Sequence, residues 1–232
     1  VWNDPWSMTL AGRLIWFGTL LFTVYMAGRH LAETHLPIRQ VVVTGAERPE
    51  TRAALAGVVQ RLSGSLFTMD LEAAQAKFSG LPWVRRASVS RVWPNRLQVT
   101  LTEHQPLASW NRTAMLNLEG EVFPVAPLDG LVDIRAPEGM ELDVARRKNE
   151  FADILGRHGL DIAAIHVDAR HAWRLRLADQ VWVDLGRERM TERLTRFVAF
   201  YPLTQQLVTN IQRVDMRYPN GYAVQAKQER KT

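Results

Sequence analysis

A chain of 232 residues that is 47% hydrophobic and 23% charged has the balance of a folded protein with one or two cores, which excludes disorder over most of its length. The net charge of +5 comes from arginines and lysines scattered along the chain rather than clustered, a pattern of solvated strands and helices rather than of a nucleic-acid site. No cysteine is present, so thiolate metal sites, thiol nucleophiles and disulfides are excluded.

Near the N-terminus, LIWFGTLLFTVYMAG (residues 14–28) carries no charge, and with Arg13 and the segment from Ser7 it reaches the roughly 20 residues that cross a bilayer. Arg13 can snorkel toward water, and Trp6, Trp16 and Tyr25 suit the two interfaces. A cleaved signal peptide is the competing reading, but Tyr25 and Met26 are bulky where small residues should precede a cut. The expectation is a retained anchor over residues 13–33, preceded by a short tail of residues 1–12. Arg13 before the span and Arg29 and Arg39 after it leave the orientation undecided.

LPIRQVVVTG (36–45) reads as a strand closed by a glycine. From Thr51, Ala54, Leu55, Val58, Val59 and Leu62 recur at helical spacing, with Gly64 as the expected stop. Asp70 is a good N-cap for a second helix that buries Leu71, Ala74, Phe78 and Leu81. Two alternating strands follow, Ala87 and Val89 in one and Leu97, Val99 and Leu101 in the other, turning at Pro94-Asn95. Strand, helix, helix, strand, strand is a compact unit whose helices cover one sheet face, so Arg85, Arg86, Ser90, Arg96, Gln98 and Thr100 belong on or beside the wet face.

A second region begins near Pro106. MLNLEGEVFPV (115–125) predicts a hairpin turning at Glu119-Gly120, followed by a short strand at 131–134 and a helix from about Asp143 to His158. WRLRLADQVWVDLG (173–186) predicts a second hairpin, and MTERLTRFVAFYP (190–202) a helix burying Leu194, Phe197, Val198 and Tyr201. IQRVDMRYPNGYAVQAK predicts two final strands joined by a tight turn, with Asn220-Gly221 supplying positive φ. The charged end after Lys227 reads as a tail.

Chemistry is harder to find. The six histidines, at 30, 35, 104, 158, 166 and 171, form no metal-ligand spacing, and no phosphate-cradling or nucleophile-elbow motif occurs. Glu103 and His104 are adjacent in a strand, so their side chains point to opposite faces and cannot serve one substrate. No catalytic residue, metal or cofactor is expected; the residues point to an anchored binding protein.

LPWVRRASVSRVWPNRLQVTLTEHQPLASW, followed by DARHAWRLRLADQVWVDLGRERMTERLTRFVAFYP and VDMRYPNGYAV, resembles the FtsQ/DivIB family of bacterial cell-division proteins over nearly the whole chain after the anchor. The resemblance implies an α+β protein: a single transmembrane helix, a POTRA domain of order β-α-α-β-β over residues 36–105, and a mixed α/β domain, the β domain, over 106–227 that ends in a strand hairpin, with a tail at 228–232. It further implies a non-catalytic inner-membrane scaffold with its N-terminus in the cytoplasm and its bulk in the periplasm, concentrated at the septum. Such a scaffold links early division proteins to septal peptidoglycan synthesis by binding FtsB and FtsL, with FtsK as a further partner. Carried over residue by residue, the FtsB/FtsL site falls on Arg170, Arg217, Tyr218, Gly221, Tyr222, Ala223 and Val224, and septal recruitment falls on Val89 and Arg91 of the POTRA domain. The chain has Gln225-Ala226 where relatives carry a tryptophan after the final strand, which makes Tyr222 the expected side-chain anchor. The alternative class is a POTRA protein of polypeptide secretion or outer-membrane assembly, against which stand the single POTRA-like unit and the lack of a barrel sequence.

Overall fold

The computed structural model describes residues 5–35, 38–62 and 69–227. The expected start of the first strand at 36–37, the stop at Gly64 and the tail at 228–232 lie outside them. Helix α1 (Pro5–His35) contains the expected anchor. Its side chains from Arg13 to Arg29 are exposed all round, with Leu14 at 67% and Trp16 at 77%. Among the described residues no helix is long and apolar enough to cross a membrane.

The chain divides into two compact units, residues 1–103 and 104–232. In the first, β1 (Gln40–Thr44), α2 (Pro49–Gln60), α3 (Leu71–Ser79), β2 (Val84–Val92) and β3 (Arg96–Glu103) follow in the predicted order. The sheet order is β1-β3-β2, with β1 parallel and β2 antiparallel to β3. Asp70 caps α3 as its sequence position suggests, its carboxylate accepting from the amides of Glu72 (2.9 Å) and Ala73 (3.0 Å). Period-2 alternation then decides the layers. Ala87, Val89, Leu97, Val99 and Leu101 turn inward with Phe78, Ala74, Leu55 and Val58, while Arg86, Ser88, Ser90 and Thr100 face water.

The boundary between the units separates Glu103 from His104. Glu103 stays with the first unit, accepting from the Arg48 amide at 3.3 Å. His104 stays with the second, where its Nδ1 accepts from the Asn117 side-chain amide at 2.9 Å and its ring stacks on Phe123 at 4.2 Å.

The second unit is a nine-stranded mixed sheet in the order β12-β11-β10-β9-β8-β7-β4-β5-β6. Its strands are β4 (Pro106–Trp110), β5 (Ala114–Asn117), β6 (Val122–Phe123), β7 (Val132–Arg135), β8 (Ile162–Val167), β9 (Trp173–Leu177), β10 (Trp182–Gly186), β11 (Ile211–Asp215) and β12 (Ala223–Ala226). Helices α4 (Glu141–Gly156) and α5 (Met190–Leu207) build the core with Leu116, Ile134, Ile165, Leu175, Val183 and Leu185 beneath Phe151, Leu155, Leu194 and Phe197. β4 and β8 carry no clear alternation, because neither presents a clean wet face, and they escape a periodicity reading. Helix α5 also runs five residues beyond the predicted end, with Pro202 inside it.

On the sheet face away from the helices, Asp184 is 4% exposed and receives Arg174 Nε at 2.5 Å and a second ion pair from Arg213. The buried carboxylate is thus compensated by two cations across β9, β10 and β11, which ties the three strands together through charge as well as ladder bonds.

Candidate functional site at the terminal sheet edge

Strand β12 ends the nine-stranded sheet, and among the described residues nothing pairs with its outer side. It runs antiparallel to β11, with Arg213 opposite Gln225, Val214 opposite Val224 and Asp215 opposite Ala223. Beyond it the Lys227 amide donates inward to Asn210 O at 2.8 Å. Because N–H groups alternate sides along a strand, Gln225 and Ala223 also point inward, and Val224 and Ala226 point their N–H groups out. Natural edges are blunted by charge or proline. Residues 222–226 contain neither, and Ala223, Gln225 and Ala226 are exposed.

The loop from Met216 to Tyr222 corrects the predicted turn. Neither Asn220 nor Gly221 has positive φ, and the strands are joined by seven residues rather than a two-residue turn. Its path is set from outside the loop. The Met216 amide donates to Asp184 O at 3.0 Å, and the carbonyls of residues 216 to 219 are all reached by arginines of α5. Arg217 itself folds back on Asp215, with Nε at 2.9 and 3.0 Å and Nη2 at 2.6 Å from the carboxylate. Tyr218 is 55% exposed. A hollow of about 400 Å³ is lined by Tyr218 through Ala223.

Tyr222, the expected side-chain anchor, is half-buried and packs on the helix layer. Its hydroxyl lies 2.7 Å from Thr204 Oγ1 and its ring stacks on Phe200 with centroids 6.1 Å apart. It therefore fixes the start of β12 from behind.

Arg170 stands in the turn between β8 and β9. The Asp168 carboxylate accepts from the amides of Arg170 (2.8 Å) and Ala172 (2.9 Å), and His171 takes a positive φ of 60° to complete the turn. That arrangement leaves the Arg170 side chain exposed. Strand directions put this turn, the end of β10, the loop after β11 and the start of β12 at one end of the sheet. Three to four strand spacings nevertheless separate Arg170 from β12, about 15–20 Å. The structure thus groups Arg217, Tyr218, Gly221, Tyr222, Ala223 and Val224 at the edge and sets Arg170 apart at the same end. A cleft of about 280 Å³, bordered by Asp168, Trp173, Asp184 and Arg217, lies between.

The POTRA residues behave differently. Val89 is 8% exposed and faces the core, so its side chain is packing; what it offers outward is backbone, since β2 is an edge of the three-stranded sheet. Arg91 on the same strand donates to Met69 O at 2.7 Å and so holds the approach to α3.

Two carboxylates of the site titrate below their ordinary range. Arg217's hydrogen bond holds Asp215 below the usual aspartate range, and the Ala172 amide does the same for Asp168. A depressed folded value contributes stability that is present above the unfolded pKa, about 4, and is lost as pH falls through the lower folded value. Amide resonances of Arg170 and Arg217, which donate to these two carboxylates, are accordingly expected to titrate with Asp168 and Asp215 below the ordinary aspartate value of about 4. Midpoints above that value would contradict these geometries.

Comparison with known proteins bears on both units. Residues 36–104 match the POTRA domain, FtsQ-type, and residues 108–217 match Cell division protein FtsQ/DivIB, C-terminal. The chain is 35% identical to Cell division protein FtsQ of Burkholderia pseudomallei over 97% of this chain and 94% of that protein. The chain belongs to the FtsQ/DivIB family. Within it, the FtsQ of Shewanella oneidensis is 38% identical over 89% of this chain and 81% of its own length, and that of Nitrosospira multiformis 34% over 94% and 92%. Membership makes this a cell-division protein and favours that class over polypeptide secretion. The sequence does not mark Arg193 and Arg196 of α5, which hold the loop before β12. As exposed-looking arginines on an amphipathic helix they carry no signal in the sequence.

Proposed function

We propose that this FtsQ-family chain is a non-catalytic scaffold of the division machinery that binds the FtsB–FtsL pair at the terminal edge of its β domain and so links early division proteins to septal peptidoglycan synthesis. The observation that carries the reading is the unblunted edge of β12, with outward N–H groups at Val224 and Ala226, preceded by a loop whose carbonyls accept hydrogen bonds from arginines of α5. Edge strands of this kind bind extended segments through main-chain hydrogen bonds, with side-chain hollows adding selectivity. Arg217, Tyr218, Gly221, Tyr222, Ala223 and Val224 form the edge site, and Arg170 adds a charge contact 15–20 Å away, about the length of a five-residue strand. Partner recruitment to the septum, with FtsK as the expected partner, uses the β2 edge of the POTRA domain: Arg91 holds its shape and Val89 its packing.

In the same reading residues 13–33 anchor the chain in the inner membrane, with residues 1–12 on the cytoplasmic side and domains 36–105 and 106–227 in the periplasm. Supporting this are the charge-free run 14–28 and its exposed apolar side chains, which have no protein surface to cover them within the described residues. A reporter that works only outside the cytoplasm is expected to be active when fused after Thr232 and inactive when fused before Ser7. The test of the scaffold is affinity purification of the full chain from membranes followed by mass spectrometry. FtsB and FtsL are the expected co-purifying proteins; recovery of outer-membrane assembly components in their place would overturn the proposal.

A further inference from the structure

The loop from Met216 to Tyr222 leaves the sheet, so its backbone carbonyls have no ladder partner, yet four in succession are satisfied. Arg196 Nη1 donates to Pro219 O at 2.7 Å, and its Nη2 donates to Tyr218 O at 2.8 Å and Met216 O at 3.1 Å. Arg193 supplies the remaining one, with Nη2 at 3.4 Å from Arg217 O, while its Nη1 donates to Leu185 O at 2.6 Å. Space for Arg193 is made by Gly186 at the end of β10. A Cβ there would lie 2.7 Å from Arg193 Nη1 and 3.3 Å from Arg217 Cγ, and its φ of +76° is one that L side chains rarely adopt.

These groups share one side of α5. Arg196, Phe200 and Thr204 follow at i, i+4 and i+8, which stacks them on a single helix face. Arg196 takes the loop's carbonyls, Phe200 takes the Tyr222 ring, and Thr204 takes the Tyr222 hydroxyl. The face works as a rail that receives the chain as it leaves β11 and delivers it, oriented, to the first residue of β12. A planar guanidinium is suited to the task because its fork reaches divergent carbonyls from one stem, which a point-like ammonium cannot do equally well.

We infer that Arg196 is the positioning residue of the docking edge: by clamping the carbonyls of residues 216, 218 and 219 it orders the loop and sets the angle at which β12 meets an incoming strand. The inference rests on the edge reading above for its binding consequence, and on this geometry alone for the ordering of the loop. Arg196 need not touch the partner. Its effect is to remove loop ordering from the steps that binding must accomplish, since a segment ordered only on binding weakens affinity by its ordering cost.

The test is hydrogen exchange on the full chain in detergent, run beside binding to purified FtsB–FtsL, for Arg196→Ala and Arg196→Lys. In Arg196→Ala the amides of residues 217, 218 and 220–223 are expected to exchange at least about tenfold faster while those of β9 and β10 keep the parent's protection. FtsB–FtsL binding is expected to fall by about tenfold or more, with Arg196→Lys between parent and alanine for both readouts. An arginine that merely stabilised the domain would lower protection across the whole sheet together, and that result would overturn the inference. So would unchanged exchange in the loop, or faster exchange with parental binding. If Arg196→Ala fails to fold, Arg196→Lys still decides, because a loop and an edge no different from the parent's contradict the need for the fork. Val224→Pro in the same assays separates the two readings. Normal binding by that variant removes the edge as the docking site, whereas unchanged loop exchange in Arg196→Ala removes the positioning role and leaves the edge intact.

Discussion

Val224→Pro is expected to weaken FtsB–FtsL binding by about 30- to 100-fold and to leave the β domain folded. The Val224 N–H faces away from β11, so proline there costs the domain no ladder bond of its own. An added strand, by contrast, loses a donor and meets the pyrrolidine ring where it must approach closely. One main-chain hydrogen bond is worth about 1 kcal/mol net, and loss of one or two with the steric block adds up to about 2–3 kcal/mol. Position matters more than residue type. Gln225→Pro should instead damage the domain, since the Gln225 N–H points inward to β11 opposite Arg213, while Gln225→Ala should change affinity by no more than about twofold because strand addition relies on backbone. Interferometry on immobilised protein, with circular dichroism as the folding control, reads both. A folded Val224→Pro variant that binds like its parent would move the interface off this edge.

Arg170→Glu is expected to lower the same affinity by about 30-fold or more, the effect of replacing one partner of an interfacial charge pair, on the order of 2–5 kcal/mol. The fold has little stake in the Arg170 side chain. The turn is held by the backbone amides of Arg170 and Ala172 on Asp168, which survive the substitution. A forked cation exposed at this end of the sheet is available to a partner carboxylate, and its reversal sets like charges against each other. Because about 15–20 Å separates it from β12, the two lesions should be nearly independent, and Arg170→Glu with Val224→Pro should add within about 0.5 kcal/mol. Isothermal titration across the four proteins gives the cycle. Parental affinity in Arg170→Glu would remove Arg170 from the interface, and strong coupling would show that the two elements move together.

Local chemistry by itself determined much of this protein. The order of elements in the first unit follows from Asp70 as a cap and from the alternation of Ala87, Val89, Leu97, Val99 and Leu101, because a strand with one wet face writes its period into the sequence. The absence of cysteine and of metal-ligand or nucleophile spacing is likewise a matter of residue types alone, as is the charge-free run near the N-terminus. Where periodicity was weak the sequence was silent: β4 and β8 are short and largely buried, and Pro202 looked like a helix end although packing of α5 carries the helix past it. Tertiary structure alone decided the rest. Asn220-Gly221 has the chemistry of a tight turn, yet two arginines more than twenty residues earlier bind the carbonyls before it and draw the chain into a seven-residue loop. That Tyr222 meets Thr204 with its hydroxyl and Phe200 with its ring was equally invisible, because both partners lie on a helix about twenty residues earlier. Which strand would end the sheet, which of its N–H groups face outward, and which surface arginines hold a loop are properties of pairing between distant segments, and such pairing leaves no periodic trace in the residues that make it.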